Sequence, residues 1–223
     1  MNGWSSYALQ DFIPFTVDIY FRLLERMNET FWPLHLLSLS LGLAALWLAI
    51  KNRGRLACLL VAPVWVFVAF AFFFQRYAEL NWAGSYIGSF FVAQAILFIL
   101  IALAGKDLDN KSCKKPSAVI GIAIAFIGLI GWPFIALLTG GHMYQSEVFG
   151  IHAGPTVITT LGLSLIMFRG WALWLMAMIP ALWLLFSGLT LWGLGIPVSM
   201  ILFIVLAIGL IGLFWKSLEV QFV

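Results

Sequence analysis

The sequence predicts an all-α integral membrane bundle of about seven transmembrane helices, and three observations lead to it. Apolar residues make up 63% of the 223-residue chain and charged residues only 9%, against about 45–50% and about 25% in an ordinary soluble domain. Apolar runs long enough to cross a hydrocarbon layer of about 30 Å recur from residue 31 onwards. The basic residues gather in short clusters between those runs. With a mean hydropathy of +1.05, this chain carries more apolar surface than a folded domain of its size hides from water, so the excess has to face lipid.

Each run has to be helical, because an open strand would leave backbone N–H and C=O groups unpaired in hydrocarbon. Spans are expected near residues 31–50, 56–75, 82–104, 117–138, 154–168, 171–192 and 195–215, forming one transmembrane domain over 1–223. Lys51, Arg53 and Arg55 follow the first span, and Lys106, Lys111, Lys114 and Lys115 follow the third. Arg169 follows the fifth and Lys216 the seventh. The other connections and the N-terminal segment hold only Arg22, Arg26 and Arg76. Basic residues concentrate on cytoplasmic loops, so the N-terminus is expected outside and the C-terminus in the cytoplasm. Residues 1–5 carry no basic side chain and precede no long apolar run, so the start does not read as a cleaved signal peptide.

The fifth span is short, and only Arg169-Gly170 separates it from the sixth. Either its helix starts earlier, near Val148, or it is a half-helix entered from outside. Ahead of the first span, residues 16–30 place Asp18, Arg22, Glu25, Arg26 and Glu29 on one helical face. Val17, Tyr20, Phe21, Leu24 and Met27 fall on the other. This is the pattern of an amphipathic helix in the outer interface, N-capped by Thr16 and supported by an Asp18–Arg22 pair. It packs on the bundle or acts as a lid.

Trp32, Trp47, Trp82, Trp171, Trp192 and Trp215 fall near span ends, where indole rings favour the headgroup region. Trp65 and Trp183 lie nearer mid-span and are expected between helices or against lipid. Gly84 with Gly88, the face Ala118-Gly121-Ala125-Gly128, and the face Ser38-Gly42-Ala45 allow close helix approach or self-association. Pro63, Pro133 and Pro180 should bend their helices. Cys58 and Cys113 both lie towards the cytoplasm, so no disulfide is expected.

For chemistry the first fact is an absence. No ionisable side chain falls at the centre of any expected span, which counts against proton relays and ion coupling. The basic clusters mark orientation rather than a nucleic-acid surface, and no cofactor signature is present. Polar groups collect instead around residues 139–156. His142, Glu147 and His152 are of the right types to ligate a divalent metal such as zinc, with His35 as a possible fourth. Ordinary solvated loop residues are the plainer reading. The Gly154-Pro155 start of the fifth span gives a helix N-terminus with free N–H groups. Thr156, Thr159 and Thr160, with Gln94 of the third span, would line a path for a solute, or would bond back to their own helices.

The stretch from Phe149 through Pro155 to Gly162, the region 15–42 and the turn Gly193–Pro197 resemble an uncharacterised family of bacterial multi-spanning membrane proteins. The resemblance implies a membrane topology and no particular activity. Members of that family often carry Cys-Pro-Thr-Thr where this chain has Gly154-Pro155-Thr156-Val157, so a thiol-based role would not extend to it. Three functions remain open. The first is a small-solute permease or channel-like protein. The second is an accessory or assembly subunit with a membrane-protein partner or a second copy of itself. The third, and least favoured, is a membrane-embedded metal-dependent hydrolase.

Overall fold

A computed structural model describes residues 9–109, 115–138 and 142–221. Helices dominate and no strand is formed among these residues; only two isolated bridges occur, Leu108 to Phe168 and Phe149 to His152. The helices are α1 (Val17–Phe31), α2 (Leu34–Ile50), α3 (Gly54–Leu80), α4 (Gly84–Ala104), α5 (Pro116–Ile135), α6 (Ala153–Met167), α7 (Gly170–Gly193) and α8 (Val198–Gln221).

Among the described residues, five helices are long and apolar enough to cross a membrane: α3, α4, α5, α7 and α8. The count becomes six if α1 and α2, which meet at 91°, form one broken span. The expected seven is therefore not established by length and apolarity. The two shortfalls have separate causes. The α2 helix has only 17 residues, because the chain turns sharply at Trp32-Pro33 between α1 and the start of α2. The α6 helix has only 15 residues, about 22 Å at 1.5 Å per residue.

Why so short a helix suffices is clear from its surroundings. Every residue of α6 is buried, enclosed by α2, α3, α5, α7 and α8. Its ends finish inside protein, so it need not match the bilayer. It starts at Ala153 rather than near Val148, and it links one end of the bundle to the other. Contact with α5 is close enough that a Cβ on Gly162 would meet the Ala125 backbone N and the Gly121 carbonyl. On Gly128, a Cβ would lie 2.7 Å from the Thr159 backbone N. The small-residue face of α5 is thus used within the chain. The same holds for Gly42, which faces Leu129 and Phe149, and for Gly88, which faces Phe73 and Phe74.

Two spans contain wide π-helical turns, Ala69–Tyr77 in α3 and Ile127–Gly131 in α5. The second ends just before Pro133, where the missing N–H and the ring would otherwise strain a regular helix. The six tryptophans expected near headgroups are all exposed on the bundle, whereas Trp65 and Trp183 are buried.

One end of the bundle carries α1 and the 142–152 segment. The opposite, basic end is held by polar links that reach inward. Arg55 donates to the carbonyls of Ala102 and Leu103 at 2.8 and 2.7 Å, and the Asp109 N–H donates to the Met167 carbonyl at 2.7 Å. Lys216, expected just after the last span, lies within α8 and is wholly buried. Its Nζ donates to the Leu165 carbonyl at 2.6 Å and lies 3.3 Å from Asp109 Oδ2. The last carbonyls of a helix have no partner in the helix itself; with α6 sealed from water, an ammonium group supplies one. Cys58 is buried and unbridged, and Cys113 lies outside the described residues.

Candidate functional site

At the α1 end the polar residues are organised around one carboxylate. Glu147 belongs to the segment between α5 and α6, yet its side chain turns under α1. The Tyr20 hydroxyl donates to Oε1 at 2.6 Å and the Trp132 indole N–H to Oε2 at 2.9 Å. Burial pushes the Glu147 carboxyl up from its ordinary value, and the two hydrogen bonds oppose that rise. Burial and the neighbouring carboxylate push the Tyr20 phenol well up, which keeps it a donor. A Cβ at Gly154 would meet Glu147 Oε2, so a larger residue there would require the carboxylate to shift.

Glu147 lies between two cavities. The first, of about 50 Å³, is walled by Tyr20, Phe21, Trp132, Gln145 and the α7–α8 turn at Leu191 and Ile196. At about 10–15 Å³ per water position, it holds a solute of a few heavy atoms. The second, about 10 Å³, lies among Tyr77, Trp183, Ser187 and Thr190, room for about one water. The buried indole N–H of Trp183 has no partner among the described residues. Beyond it an aromatic column closes the α3–α4 seam: Phe73 lies 5.0 Å from Trp183, Phe91 4.5 Å from Phe73, and Trp65 4.3 Å from Phe91.

The α1 helix is fastened over this site by side chains on its buried face. Asn28 Nδ2 donates to the carbonyls of Tyr144 and Ser146 at 2.6 and 2.9 Å, and its Oδ1 lies 2.7 Å from His35 Nε2. Gln145 donates to Glu25 at 2.8 Å. The helix is thus packed onto the segment it covers rather than only resting in the interface. Thr16 stands at the N-cap position but makes no side-chain cap bond. No ion pair joins Asp18 to Arg22 among the described residues, where Lys216 and Asp109 do form one.

The residues singled out in the sequence separate into different roles. His142 is exposed at the surface. His152 is fully buried, its Nδ1 accepting the Val148 N–H at 3.1 Å, and burial lowers its pKa to about 3. Among the described residues no three His, Cys, Asp or Glu side chains are grouped to hold a metal ion; His142, Glu147 and His152 do not come together as a ligand set. Thr156 bonds the His152 carbonyl at 2.6 Å and receives the Gly150 N–H at 2.9 Å. Thr160 receives the Trp65 indole N–H at 2.9 Å. Gln94 donates to the Met176 carbonyl at 3.2 Å. Thr159 is buried with its hydroxyl unpaired among the described residues. None of these four lines either cavity; Thr160 and Gln94 tie helices together, and Thr156 fastens the preceding turn to the start of α6.

A family model described as "Family of unknown function (DUF6064)" matches residues 17–222. The chain belongs to the DUF6064 family. No curated protein and no solved structure matches it. The DUF6064 match begins at Val17, the first residue of α1, so the helix that covers Glu147 lies inside the family's region together with the bundle. Sequence reasoning named Glu147 only as a loop metal ligand and missed Tyr20 and Trp132 as its partners. The available signal was the single acidic residue in a segment otherwise rich in aromatic and small residues, paired with an amphipathic helix whose apolar face includes a tyrosine.

Proposed function

We propose that this protein is a small-solute permease of a bacterial inner membrane, with its N-terminus outside, and that Glu147 is the group that receives the solute. The observation that carries this reading is a partly buried carboxylate set between two successive cavities under a covering helix. A carboxylate among aromatic rings favours a small organic cation: charge attracts it, the remaining carboxylate lone pairs accept its N–H groups, and the ring faces of Tyr20, Phe21 and Trp132 add cation–π attraction. The 50 Å³ cavity suits an ion of about four heavy atoms, such as guanidinium. Closure of the aromatic column makes the present conformation occluded. Passage then requires the α3–α4 seam and α7 to separate at Trp183. Distribution of the basic residues supports the orientation.

The test is uptake of radiolabelled guanidinium at millimolar concentration into proteoliposomes. Saturable uptake above that of protein-free liposomes is expected, lowered at least tenfold by Glu147→Gln. Lowering the pH through the raised pKa of Glu147 should also abolish it, since the neutral acid no longer attracts a cation. Quenching of tryptophan fluorescence without uptake would reject permeation, and neither signal would reject the site.

A further inference from the structure

The three basic residues that fall at the α1 end, Arg22, Arg26 and Arg76, converge on one groove of about 480 Å³ between α1 and the end of α3. From this we propose a second binding site, one that takes the phosphate headgroup of an anionic phospholipid from the leaflet at that end. It does not depend on the solute reading of Glu147.

The geometry gives each arginine a role. Arg76 is fixed: it donates to the Ala71 carbonyl at 2.9 Å and to Thr30 Oγ1 at 3.4 Å, and its guanidinium lies 4.9 Å over the Phe31 ring. Arg22 and Arg26 stand one turn apart on the exposed face of α1 and make no ion pair with any described residue. Guanidinium groups left unpaired beside a fixed third one suit the planar, multidentate recognition of phosphate oxygens. Ile19, Leu23 and Leu80 form an apolar floor, and Gln75 adds an amide. An apolar floor beneath a basic rim matches an amphiphile whose chains enter the bilayer, and is wasted on a free ion. Glu79 is the one acidic residue lining the groove, so three positive charges face one negative. The acidic side chains of α1, Asp18, Glu25 and Glu29, do not line it. An anionic headgroup is therefore preferred to a zwitterionic one.

The experiment uses the purified full chain in a neutral maltoside detergent, titrated separately with dioctanoyl phosphatidylglycerol, dioctanoyl phosphatidylcholine and inorganic phosphate, with bound lipid counted by native mass spectrometry. One phosphatidylglycerol per chain is expected, bound at least tenfold more tightly than phosphatidylcholine. The pair Arg22→Gln with Arg26→Gln should weaken it at least tenfold, and the lysine pair at the same positions should restore part of the loss. Lys51→Gln with Arg53→Gln, at the opposite end, should change nothing. Equal binding of the two lipids, or an undiminished affinity in the glutamine pair, would overturn the proposal. Saturation by inorganic phosphate at the same concentration would assign the groove to a free anion instead and overturn the lipid reading.

Discussion

Replacing Lys216 by methionine tests how the closed end of α6 is held. The ammonium group donates to the carbonyls of Leu165 and Ile166 at 2.6 and 3.3 Å and pairs with Asp109 at 3.3 Å. Side-chain exposure is 0% for Lys216 and 7% for Asp109, so water replaces little of what is lost. Removing one member of a buried ion pair costs about 3–5 kcal/mol, chiefly because the other charge stays buried. Methionine keeps much of the apolar stem, which limits any packing loss. At about 2–4 °C per kcal/mol for a chain of this length, the melting temperature in detergent should fall by about 10 °C. Adding Asp109→Asn removes the carboxylate that Lys216 had faced and should recover at least half of that fall. A fall below about 3 °C, or a double variant no better than the single one, would refute the assignment of Lys216 as the group that stabilises this helix end.

Three further outcomes are expected. His152 titrates near 3 in the folded chain against 6.5 when free. Its contribution is intact above pH 6.5 and is lost as the pH falls towards 3, at about 1.36 kcal/mol per unit and about 5 kcal/mol in total. Glu147, with a raised pKa, acts oppositely, its stabilisation fading as the pH rises through the folded value. Melting curves between pH 7 and 4 should therefore flatten in His152→Gln, which keeps an acceptor for the Val148 N–H. Gly162→Ala drives a methyl group into the backbone of α5 and should cost about 1–3 kcal/mol; an unchanged melting temperature would contradict so close a crossing. Tyr20→Phe removes the 2.6 Å bond to Glu147, worth about 1.5–3 kcal/mol for a charged acceptor. Hydrogen exchange should rise in α1 and in residues 143–147, and protection equal to the wild type would mean that the bond does not hold α1 down.

How much of this was legible in the sequence depends on which physical term fixes each feature. Helix limits follow from hydropathy, turn residues and the charge clusters; the expected 82–104 and 171–192 became Gly84–Ala104 and Gly170–Gly193. The amphipathic segment at 16–30 became Val17–Phe31, and its periodicity marks Tyr20, Leu24 and Met27 as the face that is buried. The site was legible only in outline. Hydropathy treats Glu147 and Lys216 as loop and flank because it scores composition, whereas their burial depends on partners distant in sequence: Tyr20 and Trp132 for one, Asp109 and the end of α6 for the other. The hydroxyls of Thr156 and Thr160 looked like a polar path for the same reason. A hydroxyl that lines a pore and one that satisfies a buried N–H read identically until its neighbour is known.

Complete enclosure of α6 makes it depend on distant parts of the chain. A 15-residue helix containing three threonines, a serine and two glycines has little to gain from facing lipid by itself, and its backbone meets water at neither end once the bundle is closed. Only Phe168 and Arg169 separate it from α7, so the two helices form a hairpin whose second arm is long and strongly apolar. The far end of α6 is in turn completed by α8, whose Lys216 reaches it. A residue about fifty positions further along the chain thus closes the central helix, and a variant cut before residue 216 would lack the donor to its last carbonyls.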